Sequence, residues 1–293
     1  MGTLTAVARN TRVTLEMIKW EHSVFALPFA LTGAVLAADG IPAWRTLLLI
    51  VICMVSARTA AMAFNRLVDA EIDRINPRTA MRAIPAGLLS RGFVAAFTLV
   101  SSAVFLLAAG LLNRLTLLLS PLALGIVLAY SYMKRVTRWS HLVLGVALGI
   151  APSAAWIAVR GSLDWRIVVL TIAVLLWVAG FDVLYACQDF EHDCANGLNS
   201  IPQAFGLRGA FRIARGMHVV LFVLLLWMLR LFHLHSIALA GVLVAGALLV
   251  YEHSIISPAD IRRMNASFFT LNGIISAVYF LATAADVLLF RMR

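Results

Sequence analysis

Three oxygen-bearing side chains, Asn65, Asp69 and Asp73, recur at intervals of four near the end of an apolar run that begins around Leu47. On a helix that spacing stacks them along one face. A second apolar run closes the same way, with Asp189 and Asp193 in Asp189-Phe190-Glu191-His192-Asp193. Six of the 14 acidic residues fall in these two short stretches. Carboxylates and an amide are hard ligands suited to Mg2+, which takes one or two carboxylates and completes its shell with phosphate oxygens and water. Arg66, Arg78, Arg82, Lys134 and Arg135 lie beside or between the two stretches and supply cations. Acidic pairs among basic residues describe a site for a metal-bound diphosphate. A helix end whose acids merely pair with nearby arginines is the plainer account of one such ladder, and a weaker account of two at related places.

The elements that must carry these residues are apolar. The 293 residues are 62% hydrophobic and 13% charged, against about 25% charged in a soluble domain, and the mean hydropathy is +0.93. This is the composition of an all-α, polytopic membrane protein. The net charge of +10 comes without a basic stripe interleaved with aromatics, so no nucleic-acid partner is expected. Cys53, Cys187 and Cys194 have neither metal-site nor disulfide spacing and read as packing residues. No cleavable signal segment is expected in the first twenty residues, which carry Arg9, Arg12, Glu16 and Lys19.

Nine spans can be cut from the sequence, near residues 22–38, 45–64, 92–112, 115–133, 141–159, 166–188, 213–231, 237–251 and 265–290. The first is at the short limit for a membrane crossing. In the fifth, Gly145 and Gly149 make a small-residue face for close helix packing. Of the 24 Lys and Arg, 16 fall on the side of the amino terminus, seven on the other, and Arg58 inside the second span. The positive-inside rule then puts the amino terminus and both acidic stretches in the cytoplasm and the carboxyl terminus outside. Asn65 and Asp189 lie four spans and 124 residues apart. A single membrane domain with two four-helix halves, about 16–134 and 139–255, plus a ninth helix at 265–290, would turn both ladders toward one cavity.

These stretches match a family. NRLVDAEIDRINPRTAMRAIPAG at 65–87, YSYMKRVT at 130–137, FDVLYACQDFEHD at 181–193 and NSIPQAFG at 199–206 resemble the UbiA superfamily of intramembrane aromatic prenyltransferases, over nearly the whole chain. The resemblance implies nine helices around a central cavity open sideways to membrane lipid. It implies a polyprenyl diphosphate donor, a small aromatic acid acceptor, Mg2+, and a place in quinone biosynthesis in a bacterial inner membrane. Asn65, Asp69, Asp73, Asp189 and Asp193 are the implied metal and diphosphate residues, the four aspartates being catalytic. Arg78, Arg82, Lys134 and Arg135 are the implied diphosphate clamps. Two positions depart from the family pattern: Arg66 stands where an Asp is common, and Asn199 where a Lys is common. Arg66 is expected to supply the charge that Asn199 lacks. The first acceptor implied is 4-hydroxybenzoate. The Asn-Arg and Ser-Ile-Pro variants resemble a bacterial subgroup, and for that subgroup the alternative acceptor is a dihydroxynaphthoate of menaquinone synthesis.

Deeper in the spans, Arg58 precedes Asn65 by seven residues and Asp182 precedes Asp189 by seven, about two turns or 10 Å. They are expected to meet across the cavity floor. One reading makes them a buried ion pair; the other lets Arg58 receive an acceptor carboxylate while Asp182 or Tyr185 orients a ring hydroxyl. Glu21, His22 and Ser23 are candidates for the cavity mouth, His233 and His235 read as interfacial, and Glu252 with His253 reads as a solvated loop near Asp260, Arg262 and Arg263. Trp20, Trp44, Trp139 and Trp165 fit the aromatic belts. Two rivals remain: an ion-coupled transporter, which calls for broken helices at mid-membrane, and a phospholipid-head-group transferase, which calls for one acidic cluster on fewer helices.

Overall fold

The computed structural model describes residues 3–18, 26–258 and 264–291. Lys19, Trp20, Glu21, His22, Ser23, Asp260, Arg262 and Arg263 therefore lie outside the described residues. The helices are α1 (Thr3–Ile18), α2 (Leu27–Ala38), α3 (Trp44–Ile75), α4 (Arg91–Leu112), α5 (Arg114–Val136), α6 (Ser140–Gly149), α7 (Ala151–Arg160), α8 (Trp165–Ala186), α9 (Phe190–Asn196), α10 (Ile201–Leu231), α11 (Ser236–Ile255) and α12 (Met264–Arg291). No β-strand occurs among the described residues. Eight helical stretches there are long and apolar enough to cross a membrane, and α2 is a shorter ninth.

Polar residues placed just before the apolar runs start the helices. Ser90 Oγ accepts the Phe93 N–H at 3.1 Å, Asn113 Oδ1 the Thr116 N–H at 2.9 Å, Asp164 Oδ1 the Arg166 N–H at 2.9 Å, and Ser200 Oγ the Gln203 N–H at 3.2 Å. Each satisfies a donor that the first helical turn leaves without an intrahelical partner. Asp286 does the same from another helix: its carboxylate, on α12, takes the N–H groups of His235 and Ala238 at the start of α11.

The helices pack in a chain of neighbours: α3 on α4 and α5, α5 on α6, α6 on α8, α8 on α10, α10 on α11, α11 on α12, α12 on α2, and α2 on α7. α8 is the most enclosed span, with Leu170, Val174, Trp177 and Val178 fully buried. Phe29 of α2 packs its ring, tilted, against Trp177 of α8 with centroids 5.0 Å apart and against Tyr279 of α12 at 5.7 Å, joining three helices. Leu99, Leu107, Leu118, Leu122, Val219 and Val250 point outward, where hydrocarbon rather than water is the solvent that suits them.

Two expectations are corrected, and one span gains a break. The fifth span lies where expected, at Ser140–Arg160, but consists of two helices, α6 and α7, meeting at Ile150, where Pro152 opens the second; proline is at home in a first turn but interrupts a helix interior. The second acidic ladder does not sit on one α-helix: α8 stops at Ala186, and a tight 3-10 turn, Cys187–Asp189, leads into α9. Glu252 and His253 are not in a solvated loop. α11 runs on past Tyr251, and Glu252, 1% exposed, accepts from Asn272 Nδ2 at 2.9 Å, while His253 Nε2 lies 2.9 Å from His218 Nδ1.

Candidate functional site

α3 carries Asn65, Asp69 and Asp73 on one face, as the spacing requires, and Asp69 and Asp73 are buried. Asn65 Nδ2 donates to Asp69 Oδ2 at 3.0 Å. Lys134 Nζ, from the last turn of α5, donates to the same oxygen at 2.7 Å. Arg135 reaches Asp69 Oδ1 at 3.2 Å and the Val68 carbonyl at 2.7 Å. Arg82 Nη1 donates to both oxygens of Asp73, at 2.7 and 2.8 Å. The Thr79 hydroxyl adds a bond to the Asp73 carbonyl at 3.0 Å.

The loop from Asn76 to Ser90 then crosses to the second acidic stretch. Arg78 Nε donates to Asp189 Oδ1 at 2.8 Å and its Nη2 donates to Oδ2, a bidentate pair. Its Nη1 donates to Tyr185 Oη at 3.3 Å. Burial opposes the charge on Arg78, but the hydrogen bond and charge of Asp189, with help from Tyr185, hold the guanidinium above its ordinary value. Asn76 turns the loop: its Oδ1 accepts the Arg78 N–H at 2.9 Å, and its Nδ2 lies 3.4 Å from Asp189 Oδ1. Asp193, on α9, is hydrogen-bonded to Ser200. The next link is backbone, the Asn199 N–H donating to the Lys134 carbonyl at 2.8 Å. The two stretches, 124 residues apart at Asn65 and Asp189, are thus joined by one loop, with Arg82 on the first and Arg78 on the second.

The deeper pair does not form. Asp182 Oδ2 is 2.7 Å from His141 Nδ1 instead, and Arg58 makes no ion pair among the described residues, its buried Nε having no hydrogen-bond partner. Seven-residue spacing fixes depth along each helix but not the direction in which the two side chains point. Arg66 is buried and donates from Nε to the Met17 carbonyl of α1 at 3.4 Å, while lying within electrostatic reach of Asp69, Asp73 and Tyr185.

The donor set suits Mg2+ in kind, being all oxygen. Among the described residues no three His, Cys, Asp or Glu side chains converge as a ready-made metal cage. An ion that keeps its waters and shares a diphosphate needs only one or two carboxylates from the protein. Four aspartates surrounded by five cations fit a ligand carrying both signs of charge. Asn65, Asp69 and Asp73 on one side, and Asp189 and Asp193 on the other, are the residues that would hold it.

Three contributors are absent from the sequence reading. Asn76 follows the first stretch as an ordinary Asn-Pro turn, yet it tethers Asp189. His141 begins α6 as a lone histidine, yet it binds Asp182. Tyr130 of α5 lies within electrostatic reach of Asp182, Asp69, Arg66 and Arg82. For His141 a signal existed: it shares the four-residue spacing of Gly145 and Gly149.

The UbiA prenyltransferase family model matches residues 26–274. A protein of Aliivibrio fischeri strain MJ11 named 4-hydroxybenzoate octaprenyltransferase is 31% identical over 253 residues, covering 86% of this chain and 88% of that one. A protein of the same name from Hydrogenovibrio crunogenus is 32% identical over 231 residues, covering 78% and 80%. Among solved structures, an apo UbiA homologue from Aeropyrum pernix K1 matches with a TM-score of 0.84 at 33% identity, over 92% of this chain and 99% of that one. A UbiA homologue from Archaeoglobus fulgidus bound to DMAPP and Mg2+ shares the fold, with a TM-score of 0.71 at 17% identity over 94% and 98%. Fold, acidic pairs and sequence likeness agree, and the chain belongs to the UbiA prenyltransferase family.

Proposed function

We propose that this membrane enzyme transfers a polyprenyl group from a polyprenyl diphosphate to a small aromatic acid, with 4-hydroxybenzoate as the first-choice acceptor and Mg2+ as the metal. The observation that carries the reading is the loop clasp: Arg82 on Asp73 and Arg78 on Asp189 bring two carboxylate sets from distant parts of the chain to one place. The names of the similar proteins support the same donor and acceptor classes.

Asn65, Asp69, Asp73, Asp189 and Asp193 hold the metal and so orient the diphosphate. Bound Mg2+ supplies Lewis-acid stabilisation of the charge that builds on the departing diphosphate. Arg78, Arg82, Lys134 and Arg135 turn from carboxylate to phosphate oxygens and stabilise that same charge. Arg58 receives the acceptor carboxylate, its unpaired buried Nε being a donor without a protein partner. Arg66, within electrostatic reach of Asp69 and Asp73, is placed to add its guanidinium to the same cluster. On this reading the aliphatic helix walls hold the prenyl tail and membrane lipid surrounds the bundle; the excess of Lys and Arg on one side supports a cytoplasmic acidic site in a bacterial inner membrane.

The test is product formation by purified protein in lipid nanodiscs, given labelled polyprenyl diphosphate, Mg2+, and either 4-hydroxybenzoate or a dihydroxynaphthoate. Prenylated 4-hydroxybenzoate is expected. Product from the naphthoate alone would move the protein to the menaquinone branch. No product from either acceptor, with cation flux in proteoliposomes, would overturn the enzyme reading.

A further inference from the structure

His141 stands in the first turn of α6 and is buried, 4% exposed. Its Nδ1 lies 2.7 Å from Asp182 Oδ2 on α8, and its Nε2 receives the backbone N–H of Ile201, the first residue of α10, at 3.3 Å. A backbone N–H only donates, so Nε2 carries the lone pair and the ring proton sits on Nδ1. In this arrangement His141 donates from Nδ1 to the Asp182 carboxylate. The Ile201 N–H is one of the donors left over at a helix start, immediately after the Asn199-Ser200 segment that closes the second acidic stretch.

Backbone contact sets the register of this bond. His141, Gly145 and Gly149 share one face of α6. A Cβ on Gly149 would lie 2.9 Å from the Thr171 carbonyl oxygen, and one on Gly145 would lie 2.5 Å from that of Leu175. Moving up α6 by one turn therefore moves down α8 by one turn, and the next step carries His141 to the turn of α8 that ends at Asp182. Glycine lets the two helices touch backbone to backbone, so the helix register that brings His141 opposite Asp182 is set by backbone contact. The Asp182 side chain remains 18% exposed, and Tyr130 is within electrostatic reach of both Asp182 and Asp69.

We infer that His141 is a positioning residue for Asp182, and that Asp182, so held, takes the hydroxyl proton of the aromatic acceptor. The inference rests on the proposed prenyl transfer. In that step a carbon–carbon bond forms between the allylic C1 of the donor and the ring carbon beside the hydroxyl. The C1–O bond breaks, and its electron pair leaves with the diphosphate. As the ring attacks, the hydroxyl proton passes to Asp182, giving a ring ketone whose attacked carbon still bears hydrogen. That carbon then loses its proton to the released diphosphate while Asp182 returns its own to the ring oxygen. The product is a phenol, and Asp182 and His141 finish in their starting states.

The experiment uses full-length protein in nanodiscs, with His141→Leu, His141→Asn and Asp182→Asn. Two acceptors are compared: 4-hydroxybenzoate and its 3-fluoro analogue, whose hydroxyl ionises more readily and needs less help from a base. A third readout is slow diphosphate release from the donor without acceptor. His141→Leu is expected to lower kcat/KM for 4-hydroxybenzoate by about 100-fold and for the fluoro acceptor by about tenfold or less. Acceptor-independent diphosphate release is expected to change little, and His141→Asn, which keeps an N–H donor, to recover most of the loss. Equal losses with both acceptors and in diphosphate release would make His141 a scaffold residue and overturn the inference alone. If the wild-type protein prenylates neither acceptor, the inference falls together with the prenyl-transfer reading.

Discussion

Lys134 Nζ lies 2.7 Å from Asp69 Oδ2, the same oxygen that Asn65 binds at 3.0 Å. The central carboxylate of the α3 face is thus already satisfied by protein donors, and Asp73 and Asp189 are satisfied likewise by Arg82 and Arg78. The fold does not wait for a metal.

Chelation therefore separates activity from stability. Treatment with EDTA is expected to abolish turnover while moving the thermal midpoint by no more than about 2 °C, the shift expected of about 1 kcal/mol in a domain this large. Mg2+ together with inorganic diphosphate raises the midpoint by mass action. Loss of helical circular dichroism on chelation would contradict this.

Arg82→Ala leaves Asp73, whose side chain is 5% exposed, without its cation. Breaking a fully buried pair costs about 3–5 kcal/mol. Arg82 itself is 26% exposed, which screens the pair and reduces the expected loss to about 2 kcal/mol. Denaturation of the variant in mild detergent measures it, and donor KM rises in the same protein.

If Arg58 receives the acceptor carboxylate as proposed, Arg58→Ala is expected to act on acceptor binding. A hydrogen bond to a charged group contributes about 1.5–3 kcal/mol, so the apparent KM for the aromatic acid is expected to rise by about 10- to 100-fold. Donor KM stays close to wild type. A rise no greater for acceptor than for donor removes Arg58 from acceptor binding.

Gly145→Ala drives a methyl against the Leu175 carbonyl, 2.5 Å away. Overpacking of this kind costs about 1–3 kcal/mol, read as a lower thermal midpoint. Gly125, with nothing within 4 Å of an added Cβ, is the control: Gly125→Ala is expected to leave the midpoint unchanged or raise it, since alanine favours helix.

The helices were legible because a crossing needs about 20 apolar residues; their polar starts at Ser90, Asn113, Asp164 and Ser200 emerged only with the structure. The acidic stretches were legible because Asn65, Asp69 and Asp73 obey helical spacing. The partners of these groups were not. Spacing within α3 and α8 says how deep Arg58 and Asp182 lie, but only packing says that Asp182 turns to α6 and not to α3. The break of the second ladder at Cys187–Asp189 was also hidden, because a tightened turn keeps the same sequence spacing as an α-helix.

Arg66 donates to the Met17 carbonyl, and Met17 packs among Ala63, Ala83, Leu89 and Val94. The end of α1 is thereby wired to a residue three positions before Asp69. A fusion partner or immobilisation tag on the amino terminus would pull on that wire.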